Sequence, residues 1–122
     1  MFRKIRLLTF ALIMNTLPSL AQSGLVFDRP TWDFGTIRET DGPVTHRFVC
    51  RNEGEHPEVI LQVTTTCGCT TPRYTRKPIL PGEETEITVT YDPANRPGNF
   101  SRELAVFTAD RRIAAQLRIS GS

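Results

Sequence analysis

The sequence predicts an all-β protein, an immunoglobulin-like β-sandwich of about seven antiparallel strands preceded by a signal peptide. Three observations support this fold class. Short apolar stretches alternate with polar residues at a period of two, and turns rich in Pro, Gly, Asn and Asp separate them. No stretch after the first 21 residues keeps the 3.6-residue apolar period of a helix over three turns.

The N-terminal stretch has the composition of a signal peptide. Basic residues precede an apolar run at 7–17, and Ser19 and Ala21 put small side chains at the −3 and −1 positions of a cleavage site. The run is short for a membrane span, and an uncleaved anchor is the alternative. We therefore expect a signal peptide at 1–21 and one domain at 22–122, periplasmic or secreted, with no membrane span after cleavage.

The charge balance gives no indication of a nucleic-acid partner. The chain has 15 Lys and Arg against 13 Asp and Glu, and three of the basic residues lie in the predicted signal peptide, which has no acidic residue. The remainder therefore has 12 basic and 13 acidic residues and a formal charge of −1. It also lacks a basic patch interleaved with aromatic residues.

The first predicted strands are short and interrupted. Alternation at 26–28 and 32–37 is broken by Pro30 and Gly35, which is typical of an edge strand that bends or changes sheet. A longer strand follows at 44–51. The face of this strand that we expect to be buried carries Val44, His46, Phe48 and Cys50. His46 is interpreted as a hydrogen-bonded residue at the rim of the core.

The next strand follows a polar turn at 52–57 and is expected to point Ile60 outward. Its inward set is Val59, Leu61 and Val63. A basic loop is then predicted at 72–78. The last three strands, predicted at 85–91, 100–108 and 113–120, have the clearest alternation. Their inward residues are Ile87, Val89, Tyr91, Leu104, Val106, Leu117 and Ile119.

Cys67-Gly68-Cys69 is the stretch in which chemistry could occur. In a flat strand the two cysteines would share a face with Cα atoms roughly 6.6–6.8 Å apart, and a disulfide needs about 5.5–6 Å. Gly68 could supply the necessary bend through a positive φ. Three states are open: a strained disulfide, a free dithiol, and a two-thiolate site for a soft metal such as Cu(I). A structural role, in which the two cysteines pack as small apolar groups or cross-link the end of a strand, is favoured over redox chemistry and metal binding.

Cys50 is expected to be a buried free thiol. If strands 44–51 and 58–64 pair antiparallel, about eight residues separate Cys50 from Cys67, roughly 26 Å along a strand. Pairing between two chains is the alternative for this odd cysteine. Since Trp32 precedes all three cysteines, the Cys…Trp…Cys order of antibody domains is absent.

Seven short motifs extend over nearly the whole predicted domain, from about 27 to 119. They are WDFGTI at 32–37, DGPVTHRF at 41–48, NEG at 52–54, CGCTTP at 67–72, ILPG at 79–82, YDP at 91–93 and RPGNF at 96–100. Together they resemble the bacterial domain-of-unknown-function family 1573. The resemblance implies an exported immunoglobulin-like sandwich, similar to major-sperm-protein-like domains, with Cys-Gly-Cys as a signature and no agreed activity.

These observations favour a non-enzymatic binding or scaffolding module that contacts another envelope or secreted protein. Its expected contact residues are Cys67, Gly68, Cys69, Arg73, Tyr74 and Arg76. The alternative is thiol-redox or copper handling, with Cys67 and Cys69 as the reactive pair or the metal ligands. We predict no catalytic residue and no cofactor, because no carboxylate pair, Ser/His/Asp group or phosphate loop occurs in a supporting context.

Overall fold

The computed structural model describes residues 24–110 and 112–122. The predicted signal peptide and its cleavage site lie outside these residues. Eight strands and one short 3-10 helix, Glu39–Asp41, are present in the described part. The strands are β1 Leu25–Phe27, β2 Thr31–Asp33, β3 Val44–Asn52, β4 Ile60–Thr65, β5 Thr70–Arg73, β6 Glu84–Tyr91, β7 Phe100–Thr108 and β8 Ile113–Gly121.

Two four-stranded sheets form a sandwich, which confirms the predicted fold class. The first sheet has the order β1-β3-β6-β5 and the second the order β2-β8-β7-β4. The strand missing from the sequence prediction is β5, which lies where a loop was expected. It is short, contains Pro72 and is at the edge of its sheet, where a residue without an N–H is tolerated.

Of the two possibilities predicted near Pro30, a bend or a change of sheet, the structure shows the change of sheet. β1 pairs antiparallel with β3, and β2 pairs with β8 in the other sheet. The β2–β8 pairing is parallel, so the expectation of a wholly antiparallel sandwich was wrong at this pair. Because the chain crosses directly from one sheet to the other at Pro30, β2 continues in a direction that is parallel to the last strand.

β3 and β4 lie in different sheets, so the antiparallel pairing assumed between them was wrong. β3 pairs with β6, and β4 pairs with β7. The conclusion about Cys50 nevertheless holds. Its thiol is free and the residue is 1% exposed, within the core.

The inward set predicted for β4 was wrong at Leu61. Ile60 is fully buried, whereas Leu61 is 41% exposed. The pairing with β7 shifts register between Ile60 and Gln62, so one extra residue is inserted and the alternation changes phase. Val63, beyond the bulge, is buried as expected.

The core lies between the sheets and follows the alternation of the long strands. Every inward residue predicted for β6, β7 and β8 is buried, and so are Phe48 and Cys50 of β3. His46 is half-buried, stacked on Trp32 at 4.1 Å between ring centroids and edge-on to Phe48. Burial lowers the pKa of this imidazole, because the charged form loses hydration.

The two ends of the sandwich differ. At one end, here called the Asn52 end, Asn52 terminates β3 and is fully buried, although the sequence placed it in a polar turn. Its Nδ2 donates to the carbonyl oxygens of His56 and Ile79, both at 2.8 Å, and its Oδ1 accepts from the Gly54 N–H at 2.9 Å. The opposite end, where Val44 of β3 pairs with Tyr91 of β6, is called the Tyr91 end.

Residues 24–110 and 112–122 include no helix with the length and hydrophobicity required to cross a membrane.

Candidate functional site

The Cys-Gly-Cys sequence lies in the connection that crosses between the sheets at the Tyr91 end. β4 ends at Thr65 on the edge of the second sheet, and β5 begins at Thr70 on the edge of the first. The Thr70 N–H donates to the Cys67 carbonyl oxygen at 3.1 Å and closes a turn. The two Sγ atoms lie at bonding distance, paired as a disulfide, and the Cα atoms are 5.2 Å apart. Of the three open states, the structure has the disulfide.

Gly68 does not play the part predicted for it. A positive φ occurs at four glycines (Gly35, Gly42, Gly82 and Gly98), and Gly68 is not one of them. A Cβ added at Gly68 would meet nothing within 4 Å. The turn therefore brings the cysteines together without a conformation that only glycine adopts readily.

The two cysteines differ in environment. Cys69 is 6% exposed and belongs to the core cluster, whereas Cys67 is half-buried and packs against that cluster from outside. The Cys69 N–H donates to Cys67 Sγ at 3.2 Å. Cys69 Sγ lies 3.5 Å from the hydroxyl oxygen of Thr70. Cys67 is therefore the more accessible residue of the pair, and Cys69 is held inside with its sulfur beside a hydroxyl group.

An open concavity of about 770 Å³ adjoins Cys67. We call it the arginine concavity. It is lined by Thr66, Cys67, Gly68, Arg96, Ser101, Arg102, Glu103 and Arg118. Arg118 is ion-paired with Glu103 directly across the β7–β8 ladder and also donates to Ser101 Oγ at 2.8 Å.

Arg102 occupies an inward position of β7. Its Nη1 donates to the Ser101 carbonyl oxygen at 3.0 Å, and its guanidinium carbon lies 5.9 Å from the centre of the Tyr91 ring. Arg102 Nε and the Tyr91 hydroxyl are buried with no hydrogen-bond partner in the described part of the chain. This arginine was not among the predicted site residues, although it lies on the same face of the strand as Phe100 and Leu104, which are buried.

The predicted contact residues separate into two groups. Tyr74 is half-buried, with the Arg76 guanidinium carbon 5.5 Å from its ring centre, and Arg76 Nη1 donates to the Leu61 carbonyl oxygen at 3.2 Å. Arg73 and Tyr74 line a second concavity together with Glu84 and Glu86 of β6. None of these residues lines the arginine concavity that contains Cys67. Whether any of the six binds a partner stays a prediction.

Metal binding would depend on the cysteine pair alone. Within residues 24–110 and 112–122, no group of three or more His, Cys, Asp or Glu side chains is placed to hold a metal ion. A two-thiolate site would first require reduction of the pair, because thiolates are the ligands.

Three solved structures resemble this fold. A protein of unknown function from Porphyromonas gingivalis W83 has a TM-score of 0.71 and 18% identity, covering 88% of this chain and 50% of its own. The ASH / PapD-like domain 7 of human CEP192 has a TM-score of 0.68 and 8% identity, covering 88% and 89%. The YadV chaperone has a TM-score of 0.59 and 11% identity, covering 80% and 51%.

The chain thus spans about half the length of the Porphyromonas protein and of the chaperone. No curated protein matches its sequence. Residues 25–122 match the family described as "Protein of unknown function (DUF1573)". The predicted resemblance is therefore confirmed over the whole of the sandwich, and the chain belongs to this family.

Proposed function

We propose that this domain is an exported, non-enzymatic binding module that holds another protein of the cell envelope against the side of the sandwich formed by β4 and β5. The observation that carries the proposal is the crossing at Cys67–Cys69. It joins an edge of one sheet to an edge of the other through a cross-linked turn. Sheet edges are common sites of protein recognition, and a cross-link limits the motion of such a site.

Contact at this side is expected to use side chains rather than an added strand. The β4 edge has a bulge beside Leu61, whose carbonyl oxygen already accepts from Arg76. β5 has only four residues and includes Pro72, which has no N–H. These are devices by which proteins protect sheet edges from further strands. Tyr74 and Arg76, stacked on one another, are the residues suited to binding.

The structural neighbours support this proposal through their fold alone. One is described as a chaperone and another as an ASH / PapD-like domain, and both are sandwiches of this kind. A sandwich without a general base beside its cysteine pair is a poor candidate for an enzyme. Thiol–disulfide exchange at Cys67 and Cys69 is therefore proposed as a second function.

Site-specific photo-crosslinking in cells that produce the protein tests the binding function. A photoreactive amino acid at Lys77, exposed beside Arg76, is compared with the same amino acid at Val26, exposed on β1 at the other edge of the first sheet. We expect one adduct of defined mass from position 77 that is lost when Tyr74 is changed to Ala. Adducts of equal yield from both positions, or none from either, contradict the proposal.

The proposed location is tested on the same protein. Export with cleavage after Ala21 predicts an intact mass that begins at Gln22 and recovery from the periplasmic or extracellular fraction. Protein that keeps residues 1–21 in the membrane fraction favours the uncleaved anchor.

Thiol–disulfide exchange is the second candidate function, and one observation favours it. The pair consists of an accessible Cys67 and a buried Cys69, so a thiol from solvent can reach one sulfur and displace the other. Alkylation of the denatured, unreduced protein is expected to add one group, at Cys50. Three added groups show an unbridged pair and contradict the cross-link, while failure of the bridged pair to exchange with any added thiol contradicts this function.

A further inference from the structure

The arginine concavity places positive charge without a carboxylate partner beside the accessible cysteine. In the described part of the chain, ion pairs involve Arg47, Arg51, Arg112 and Arg118, and include neither Arg96 nor Arg102. Three arginines and one glutamate line the concavity, so its formal charge is +2. A solvated basic surface would be the simplest explanation if the concavity did not also contain Cys67.

Arg102 is held in place rather than free to turn into solvent. Its Nη1 is bonded to the Ser101 carbonyl oxygen, and its guanidinium lies against the Tyr91 ring. Its buried Nε has no hydrogen-bond partner among the described residues. Because this charge is partly desolvated and fixed, it interacts more strongly with an approaching anion than a fully hydrated arginine does.

We propose that the arginine concavity is an exchange site for small anionic thiols, in which a thiolate that carries an additional negative charge attacks Cys67 Sγ. This inference rests on the second candidate function, because it requires that the cysteine pair exchange with thiols. Beyond that function, it specifies the class of thiol, the sulfur that is attacked and the arginines that favour anionic thiols.

The exchange proceeds in two balanced steps. The thiolate sulfur forms a bond to Cys67 Sγ, the Cys67–Cys69 bond breaks, and its electron pair leaves on Cys69 as a thiolate. The Thr70 hydroxyl, 3.5 Å from Cys69 Sγ, can donate to that thiolate. A second thiolate then attacks the outer sulfur of the mixed disulfide and frees Cys67. Two small thiols are oxidised to their disulfide, and the protein pair is reduced and takes two protons.

Cys67 is the sulfur attacked because of its position. It lines the concavity, whereas Cys69 is buried in the core and does not. The arginines act on the incoming anion by raising its local concentration and stabilising its approach. Their effect therefore depends on the charge of the thiol and on ionic strength.

A charge series of thiols tests the proposal on the full mature domain. The probes are 2-mercaptoethanesulfonate (anionic), 2-mercaptoethanol (neutral) and cysteamine (cationic), and each rate of exchange is divided by the thiolate concentration. At low salt we expect the anionic probe to react about tenfold faster than the cationic probe. The preference should shrink towards 1 M salt, where the screening length is about 3 Å.

Matched variants test whether the preference for the anionic thiol originates in the concavity. Arg96→Gln should lower the preference about threefold and Glu103→Gln should raise it, since the two changes alter the local charge in opposite directions. Arg29→Gln removes a charge from the exposed β1–β2 connection, outside the concavity, and should leave the preference unchanged. Circular dichroism confirms that each variant is folded.

The outcomes separate the two ideas. Equal rates for the three probes, an effect of Arg29→Gln equal to that of Arg96→Gln, or a mixed disulfide mapped to Cys69 overturn the anionic-thiol site and leave a reactive disulfide standing. Failure of every probe to react overturns both this inference and the second candidate function. The binding function is judged separately by crosslinking from position 77.

Discussion

The two ends of the sandwich handle buried polar groups in opposite ways. At the Asn52 end, both side-chain polar atoms of Asn52 are hydrogen-bonded to backbone groups of the surrounding turns. At the Tyr91 end, the Tyr91 hydroxyl and Arg102 Nε are buried without partners in the described part of the chain, and Arg102 lines the same concavity as Cys67. Unpaired buried groups tend to occur where function rather than stability has selected the residues. We therefore regard the Asn52 end as a structural closure and the Tyr91 end as the place of the proposed thiol exchange, whereas the proposed protein contact at Tyr74 and Arg76 lies along the β4–β5 side.

The largest expected effect comes from removing the closure. Asn52→Ala removes the bonding partner of the Gly54 N–H and of the His56 carbonyl oxygen, and leaves the Ile79 carbonyl oxygen with the Glu58 N–H as its remaining donor. The change should lower the free energy of unfolding by about 3 kcal/mol. Urea denaturation measures this, with Asn99→Ala, on an exposed residue of the β6–β7 connection, as control. A loss below about 1 kcal/mol would show that the network is not the closure described.

Gly24 at the Asn52 end and Gly68 at the Tyr91 end should respond differently to substitution by alanine. A Cβ at Gly24 would lie 2.5 Å from Asn52 Oδ1 and 2.9 Å from the Gly54 nitrogen, whereas a Cβ at Gly68 meets nothing within 4 Å. Gly24→Ala should therefore destabilise by about 1–3 kcal/mol. Gly68→Ala should change stability by less than about 1 kcal/mol, in the stabilising direction. Thermal unfolding of both variants checks this, and an equal loss from each would contradict the difference between the ends.

The free thiol of Cys50, near the Asn52 end, should make the free energy of unfolding depend on pH. Burial raises the pKa of Cys50 to about 11, from an ordinary value of 9.0. The folded state holds the Cys50 proton more tightly than the unfolded state. The protonated thiol therefore makes its full contribution to the free energy of unfolding below about pH 9, and this contribution is lost as the pH rises through about 11. Urea midpoints between pH 8 and 11 should fall less steeply in Cys50→Ala than in the parent. Parallel curves would contradict a buried, protonated thiol.

The smallest expected effect has the opposite sign to the first. Tyr91→Phe removes a buried hydroxyl that has no hydrogen-bond partner among the described residues, and it keeps the ring stacked on Phe100, 4.0 Å between centroids. Stability should stay equal or rise by up to about 1 kcal/mol. Calorimetry of Tyr91→Phe decides the point, with Thr108→Val as comparison, since the buried Thr108 hydroxyl donates to Asp110. A clear loss in Tyr91→Phe would mean that the hydroxyl is used.

Alternation predicted the fold wherever strands are long and regular. The inward residues of β6, β7 and β8 and the buried face of β3 were read correctly from period two. It failed where one backbone event changed the phase, as at the β4 bulge that buries Ile60 and exposes Leu61. It also failed for Asn52, because a buried amide whose partners are main-chain carbonyl groups resembles a surface turn in the sequence.

The cysteine pair and its arginine concavity were only partly predictable, because some of their residues are far apart in sequence. Cys67 and Cys69 are neighbours in sequence, so their proximity could be inferred from spacing. Arg96 and Arg118 reach the same concavity from the β6–β7 connection and from β8, and only the long-range pairing of strands brings them there. Arg102 alone carried a local signal, as a charged residue at a position whose neighbours in the alternation are buried.

The parallel pairing of β2 with β8 has a consequence for how the chain folds. Thr31 is partnered by Arg118, 87 positions later, so a strand near the start of the domain has no second-sheet neighbour until the last strand is available. Such long-range closure slows folding and leaves the early strands exposed while synthesis continues. A chain truncated before β8 keeps all four strands of the first sheet but leaves β2 without a partner and the second sheet reduced to the β7–β4 pair. Such a chain should therefore be prone to aggregation, and the complete domain should form only after β8 has been synthesised.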